Sequence, residues 1–164
     1  FAKPHRPDLR QVDLATVIER TVGLLAPGGE SQGVRMYFER PPLPVEVMAD
    51  ENQGEQILLN VMTNALRASG SGDEISIRLQ AAQEPGGFVR VTVADQGWGI
   101  APGGLEKVFD PFFTTHASGT GLGLSVVQKL MTDHGGEIQL NSKEGSGTTV
   151  TLSFPGWSSE EADA

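Results

Sequence analysis

The chain has 164 residues, of which 38% are hydrophobic, and this is enough to bury one substantial core. Its net charge of −9 at pH 7 argues against a nucleic-acid partner, and the absence of cysteine excludes disulfides and thiolate metal sites. A cysteine-free chain also fits a cytoplasmic location. The sequence has no apolar run of 18 residues, so we expect no direct membrane contact, and any membrane anchor of a parent protein would lie outside this segment.

The hydrophobic spacing predicts helices and strands in alternation. In chain order, we expect a helix at 12–25, strands at 33–39 and 44–48, a helix at 50–69, strands at 74–81 and 88–94, a helix at 122–134, and strands at 137–141 and 148–154. This order predicts the α/β class. We expect a two-layer sandwich in which a mixed, mostly antiparallel sheet packs against about three helices.

A β-branched segment leads to Asp95. In Phe88-Val-Arg-Val-Thr-Val-Ala-Asp95, the three valines share one face of the predicted strand, and Asp95 has the same parity. An ionised carboxylate at the buried end of a strand is costly unless hydrogen-bond donors meet it, and a ligand amine would be such a donor. Gly97 and Gly99 let the backbone turn tightly beside something flat, because they lack a Cβ. An ordinary Asp-Gly turn is the alternative.

A polar stripe lies on the predicted helix at 50–69. At roughly 100° per residue, Asn60, Asn64 and Arg67 fall within about 60° of one another, opposite the apolar side. The apolar side consists of Leu58, Val61, Met62, Ala65 and Leu66. An amide oxygen is a hard, neutral ligand that suits Mg²⁺, and an arginine can neutralise phosphate charge. A solvated helix face is the alternative if this helix is considered by itself.

The segment after Asp95 lacks a sustained pattern for roughly twenty residues, which usually indicates a lid. Next comes Gly119-Thr-Gly-Leu-Gly-Leu124, at the start of an apolar helix that ends at Gly135. Unobstructed amides at a helix N-terminus form an anion site suited to the β- and γ-phosphates of a nucleotide. The sequence lacks GxxxxGKS/T, and Leu124 takes the sixth position of a GxGxxG frame, so Walker and Rossmann sites are excluded.

Together these segments resemble the Bergerat-fold ATPase superfamily and, within it, the catalytic ATP-binding domain of bacterial sensor histidine kinases. The resemblance extends from Val12 to Pro155 and rests on motifs that follow the family order. The motifs are Asn60–Asn64 (N-box), Asp95–Gly99 (first glycine box), Phe109–Phe113 (F-box), Gly119–Leu124 (second glycine box) and Gly145–Thr149 (third glycine box). The residue sequences of the F-box and of the second glycine box are similar to those of the nitrogen-regulator subclass of sensor kinases. The resemblance implies a Bergerat fold with a mobile ATP lid and a protein-histidine kinase that uses ATP and Mg²⁺.

The resemblance also implies roles for individual residues. Asp95 would bind the adenine amine, with Thr148 near the adenine, and Asn64 would ligate Mg²⁺. Asn60 and Arg67 would face the phosphates, so that Asn60, Asn64 and Arg67 form the implied catalytic set. The other residues implied to contact the nucleotide are Gly97, Gly99, Ile100, Phe112, Thr114, Thr115, His116, Gly119, Thr120, Gly121, Leu122, Gly123 and Leu124.

Three positions differ from related proteins in ways that affect the phosphate chemistry. Related kinases often have lysine where this chain has His116 and Arg67, so charge at the γ-phosphate would depend on pH if His116 contacts it. A solvent-facing lid histidine is the alternative.

At position 60, hydrolysing members of the superfamily carry a glutamate as general base, whereas the Asn60 amide cannot accept a proton. Glu55 lies off this stripe by roughly 140° and is a poor substitute. We therefore expect slow hydrolysis and transfer to another nucleophile.

None of the three histidines suits a phosphoacceptor. His5 is flanked by prolines, which break the exposed helix that an acceptor needs, and His134 ends a helix, where a partly positive ring would complement the dipole. The resemblance implies that the acceptor lies on a separate dimerisation domain of a larger, homodimeric kinase. We interpret residues 1–11 as a linker from that domain, 12–155 as the catalytic domain, and 156–164 as an acidic tail that we expect to be disordered.

Three classes of function follow. The leading one is a histidine autokinase module that binds ATP or ADP, with a response regulator as its downstream partner. The second is a protein serine kinase of the anti-sigma-factor type, which shares the motifs but normally lacks a linker-like start. The third is a nucleotide-gated interaction module without transfer activity, and the intact Asn64, Asp95 and glycine boxes argue against it.

Overall fold

The computed structural model describes residues 6–105, 107–110 and 123–158. Within these ranges it contains seven strands and four helices. In chain order they are β1 (Arg10–Asp13), α1 (Leu14–Ser31), β2 (Arg35–Phe38), β3 (Glu46–Ala49), α2 (Glu51–Ala68), β4 (Glu74–Gln80), β5 (Phe88–Ala94), α3 (Pro102–Leu105), α4 (Gly123–Asp133), β6 (Glu137–Ser142) and β7 (Thr148–Pro155).

Five strands form the main sheet, in the order β2-β4-β5-β7-β6. Strand β2 runs parallel to β4, and the other neighbours are antiparallel. Strands β1 and β3 form a second, two-stranded antiparallel sheet, and a bridge between Val47 and Gly156 connects it to the end of β7. The predicted two-layer α/β sandwich with a mixed, mostly antiparallel sheet is confirmed.

The core lies between one face of this sheet and helices α1, α2 and α4. Strand β5 shows why, since Val89, Val91 and Val93 are buried while Phe88 and Arg90 on the opposite face are exposed. On α2, the predicted apolar side is buried in full, and Ile57 joins it. The alternation in the strand and the helical spacing in α2 therefore point the same residues toward one core.

The N-terminal part of the domain differs from the prediction. Arg10 and Gln11, assigned to the linker, belong to β1 and pair with Ala49 and Met48 of β3. Helix α1 begins at Leu14 rather than at residue 12, because Asp13 caps it with extended backbone and a side chain that accepts from the Ala15 N–H. The helix also continues beyond residue 25 to Ser31, through Pro27.

The first residues of the predicted tail are held by the fold. The backbone N–H of Gly156 donates to the Gly87 carbonyl at 2.9 Å, and that of Trp157 donates to the Glu46 carbonyl at 3.0 Å. The prediction of disorder from residue 156 onward is therefore wrong for Gly156 and Trp157, because both amides are satisfied by neighbouring strands and turns. Residues 159–164 lie outside the described residues.

Gly136, between α4 and β6, supplies a test of this packing. A Cβ added there would lie 2.1 Å from the Ser153 carbonyl oxygen and 3.0 Å from Cε of Met131. We expect Gly136→Ala to lower the free energy of unfolding by about 3 kcal/mol, as overpacking does. In Gly28→Ala, the matched control, the new Cβ in α1 meets nothing within 4 Å, and we expect a gain of about 0.5–1 kcal/mol. Urea denaturation of both variants checks this, and equal stabilities would contradict it.

Candidate nucleotide-binding site

Asp95 lies directly after β5 and is anchored to the first residue of β7. Its backbone N–H donates to the Thr148 carbonyl at 2.9 Å, and its Oδ1 accepts from the N–H groups of Gly97 and Thr148 at 2.9 and 3.1 Å. Burial raises the pKa of this carboxyl, although the two backbone donors oppose the effect; the negative charge of Asp73 raises it further. The carboxylate is thus held in one orientation at an energetic cost, which is typical of a functional group.

The second carboxylate oxygen of Asp95 has a different environment. Both hydrogen bonds to the carboxylate end at Oδ1, and Oδ2 accepts none from the part of the chain that the structure describes. An ionised carboxylate in a half-buried residue gains from further donors, and an amine on a ligand would supply one. The geometry therefore leaves one oxygen of Asp95 for a ligand donor.

Gly97 brings the α2 helix against this loop. A Cβ on Gly97 would lie 2.2 Å from the carbonyl oxygen of Ala68, the last residue of α2, so only glycine permits this approach. Gly99 has a positive φ of 71°, and its Cβ would lie 2.1 Å from the Lys143 carbonyl oxygen. The two predicted glycines thus pack the loop between the end of α2 and the turn after β6.

Ser142 is a site residue that sequence reasoning missed. Its Oγ accepts from the Ile100 N–H at 2.9 Å, lies 3.0 Å from the Gly147 carbonyl oxygen, and lies 2.9 Å from Oγ1 of Thr148. A hydroxyl has one proton, so if Ser142 donates to Gly147, then Thr148 donates to Ser142. The lone pairs of the Thr148 hydroxyl then remain available to accept from a ligand or water. A polar residue with the parity of inward-facing Ile138 and Leu140 was the signal available in the sequence.

The polar stripe of α2 faces the start of α4. Asn60 Nδ2 donates to the Gly123 carbonyl at 3.5 Å, and a Cβ on Gly123 would lie 3.3 Å from Nδ2 and 3.6 Å from Oδ1 of Asn64. The side chain of Arg67, one turn farther along, is exposed and makes no hydrogen bond or ion pair within the described residues. The structure therefore brings Asn60 and Asn64 to Gly123, and it leaves Arg67 in solvent.

Several predicted residues cannot be located. Gly123 and Leu124 open α4. The remaining predicted contacts of the lid and of the second glycine box lie outside the described residues, as does the predicted mobility of the lid. They are Phe112, Thr114, Thr115, His116, Gly119, Thr120, Gly121 and Leu122. Their roles stay predictions.

Glu55 and His134, which lie outside the predicted site, have partners elsewhere in the fold. Glu55 lies 3.7 Å from Arg20 on α1, so its carboxylate serves an ion pair between the two helices. His134 is buried, with Nδ1 2.8 Å from the Leu130 carbonyl oxygen and Nε2 accepting from the Asp50 N–H at 3.1 Å. A ring that donates at one nitrogen and accepts at the other is neutral, so the expected positively charged helix cap is wrong.

Comparison with known proteins identifies the family. Residues 49–157 match the family described as "Histidine kinase-, DNA gyrase B-, and HSP90-like ATPase". The catalytic domain of the histidine kinase ThkA superimposes with a TM-score of 0.80 at 31% identity, over 90% of this chain and 95% of that one. The chain belongs to this family, as a histidine kinase catalytic domain. The predicted Bergerat-type kinase assignment and ATP binding are confirmed, while the nitrogen-regulator subclass stays a prediction.

Other relatives place the kinase catalytic domain within longer proteins. The sensor histidine kinase ZraS of Escherichia coli K12 is 40% identical over 94% of this chain and 33% of its own length. AtoS from the same organism, a signal transduction histidine-protein kinase, is 36% identical over 94% of this chain and 25% of its own length. Full-length ShkA in complex with AMPPNP is 30% identical with a TM-score of 0.83, over 96% of this chain and 33% of that one. The chain therefore spans a third or less of these proteins.

Among the described helices of the kinase catalytic domain, none combines the length and the apolar character that crossing a membrane requires.

Proposed function

We propose that this domain transfers the γ-phosphoryl group of Mg²⁺-ATP to a histidine on a separate dimerisation domain of the same protein. One observation carries the proposal: two asparagines of α2 face the first turn of α4, and the end of the same helix packs against the loop that holds Asp95. A single helix thus connects a site suited to phosphates with a site suited to a base. The similarity to histidine kinases supports phosphoryl transfer to a histidine as the reaction.

At the base end, the Asp95 Oδ2 would accept from the exocyclic amine of adenine, and the Thr148 hydroxyl would accept from a second donor or a water. Guanine carries a carbonyl oxygen where adenine carries this amine. Two acceptors would then face each other across the site. We therefore propose that Asp95 selects adenine.

At the phosphate end, the Asn64 amide oxygen is the donor that fits Mg²⁺, and the backbone amides that open α4 fit the phosphate oxygens. When bound, Mg²⁺ supplies charge neutralisation on the phosphates. Arg67 has no partner among the described residues and could bring a further positive charge. The role of these side chains is to position the phosphates and balance their charge.

The residue at position 60 favours transfer over hydrolysis. The Asn60 amide cannot remove a proton from water, and its Nδ2 already donates to the Gly123 carbonyl. In the transfer step, the γ-phosphorus bonds to an imidazole nitrogen of the acceptor while its bond to the β,γ-bridging oxygen breaks and ADP leaves. We also propose a homodimeric, cytoplasmic parent kinase that passes the phosphoryl group to a response regulator.

The test is the chemical stability of the phosphorylated product. The longer protein that contains this chain is incubated with γ-labelled ATP and Mg²⁺, and the label is treated with acid and with alkali. We expect an acid-labile, alkali-stable phosphohistidine that disappears when EDTA is added. An acid-stable phosphoserine on a protein partner would instead indicate the anti-sigma-factor type, and nucleotide binding without any transfer would indicate an interaction module.

A further inference from the structure

Asp50 forms a junction at the N-terminus of α2. Its Oδ1 accepts from the Gln53 N–H at 3.1 Å and caps the helix, while its Oδ2 accepts from the Asp8 N–H at 3.0 Å. Its own backbone N–H donates to Nε2 of His134 at 3.1 Å. Asp50 therefore connects α2, the chain that precedes β1, and the residue that follows α4.

Burial, a ring contact and hydrogen bonds at both ring nitrogens hold the His134 side chain in place. Only 3% of its surface is exposed, its ring lies edge-on to Phe154 at 6.4 Å and 87°, and Nδ1 donates to the Leu130 carbonyl at 2.8 Å. With Nδ1 carrying the proton, Nε2 is left as an acceptor, and it meets the Asp50 N–H. The ring thus defines where the end of α4 lies relative to the start of α2.

The same two helices meet again at the phosphate end. Gly123 at the start of α4 contacts Asn60 and Asn64 of α2. From Gly123 to His134 the helical rise is about 16 Å, and from Asp50 to Asn60 and Asn64 it is about 15 and 21 Å. The helices are therefore antiparallel, and the two contacts lie about equally far apart along each helix, so a shift at one contact moves the other.

We propose that His134 is a positioning residue for the nucleotide phosphates. It sets α4 against α2 through Asp50, and Asp50 extends this coupling to the chain that enters the domain at Asp8. The inference rests on the proposed function, because it assumes that Asn64 and the first turn of α4 bind the phosphate end. Asp95 lies at the far end of α2 and does not depend on this contact.

The test uses two amide variants of the 164-residue chain. In His134→Gln, the side-chain oxygen can take the place of Nε2 and accept from Asp50; in His134→Asn, the amide can replace Nδ1 but does not extend to Asp50. Affinities for Mg²⁺-ATP and for adenosine, which lacks phosphates, are measured by calorimetry. We expect His134→Asn to lose about tenfold in affinity for Mg²⁺-ATP and less than about twofold for adenosine. His134→Gln stays near wild type for both.

The outcomes separate this inference from the proposed function. Equal losses in the two variants, or equal losses for ATP and adenosine, would overturn the positioning role. If wild-type protein binds Mg²⁺-ATP no better than adenosine, the proposed phosphate site fails instead. Hydrogen exchange in wild-type protein adds a test without a variant: Mg²⁺-ATP should slow exchange of the Asp8 amide, by reciprocity of coupling. An unchanged Asp8 amide would contradict the coupling even if the variants do not fold.

Discussion

Asp95→Asn is expected to weaken ATP binding by about 100-fold while the domain stays folded. The variant replaces a charge-assisted hydrogen bond to the adenine amine with a neutral one, and its own NH₂ can face that amine. Calorimetric titration with ATP checks the affinity, and GTP serves as the second ligand. Wild-type protein should discriminate against GTP, and the variant should lose much of that discrimination. Equal binding of ATP and GTP by wild-type protein would contradict the role of Asp95.

Although Asp95→Asn is expected to bind ATP more weakly, we expect no loss in its free energy of unfolding. Burial raises the pKa of Asp95 in the folded protein, so the favourable contribution of the protonated form is present below the unfolded pKa and is lost as pH rises through the raised value. An asparagine does not titrate, and its Oδ1 can still accept from Gly97 and Thr148. At pH 7 we therefore expect Asp95→Asn to be at least as stable as wild type in urea denaturation.

Asp73→Asn is the matched control, because Asp73 acts on Asp95 only through its charge. Its Oδ2 accepts from the Gly70 N–H at 2.8 Å, which an asparagine oxygen can also do. We expect ATP affinity within about twofold of wild type, because Asp73 is only half-buried and removing a charge that acts through space has a small effect. A loss of stability together with binding in Asp95→Asn, but not in Asp73→Asn, would indicate a structural role for Asp95.

Asn64→Ala is expected to remove the effect of Mg²⁺ on ATP binding. Without the amide oxygen, affinity in Mg²⁺ should fall to the value measured in EDTA, a loss of at least about tenfold. The fold should not suffer, since alanine has the higher helix propensity and the Asn64 side chain makes no hydrogen bond within the described residues. Parallel titrations with Mg²⁺ and EDTA, with thermal unfolding beside them, provide the measurement.

Asn52→Ala is the control for Asn64, because Asn52 is an exposed asparagine in the first turn of the same helix. We expect it to keep the full Mg²⁺ dependence. If Asn64→Ala retains a wild-type difference between Mg²⁺ and EDTA, the metal has other ligands and the assignment of Asn64 is wrong.

The elements with a clear local signal were predictable. Strand β5 has strict alternation, α2 has a full apolar side, and glycine or proline marks most of their boundaries. Strand β1 gives no such signal, because its four residues have no buried side and are defined by pairing with β3 far along the chain. Helix α1 extends past Pro27 because Gly29 packs against Val34 and Leu66, and no local propensity encodes that contact.

The site also contains residues that a local pattern predicts and residues that it does not. Asp95 could be found because it is a carboxylate with the parity of the buried valines, and Asn60 and Asn64 because they form a polar stripe one turn apart on a helix with a complete apolar side. The hydroxyl network of Ser142 and the neutral ring of His134 depend on partners that are distant in sequence. Such contacts follow from how the elements pack, which the residue pattern of one segment does not contain.

The tight fit of Gly97 and Gly99 has a consequence for identifying inactive relatives. Both glycines are required by carbonyl groups of the protein itself, at Ala68 and Lys143, and not only by a ligand. A descendant that had stopped binding ATP would still need them in order to fold. An intact first glycine box is therefore a weak marker of activity in homologous genes, whereas replacement of Asp95 or Asn64 would be an early sign that a gene had become a pseudokinase.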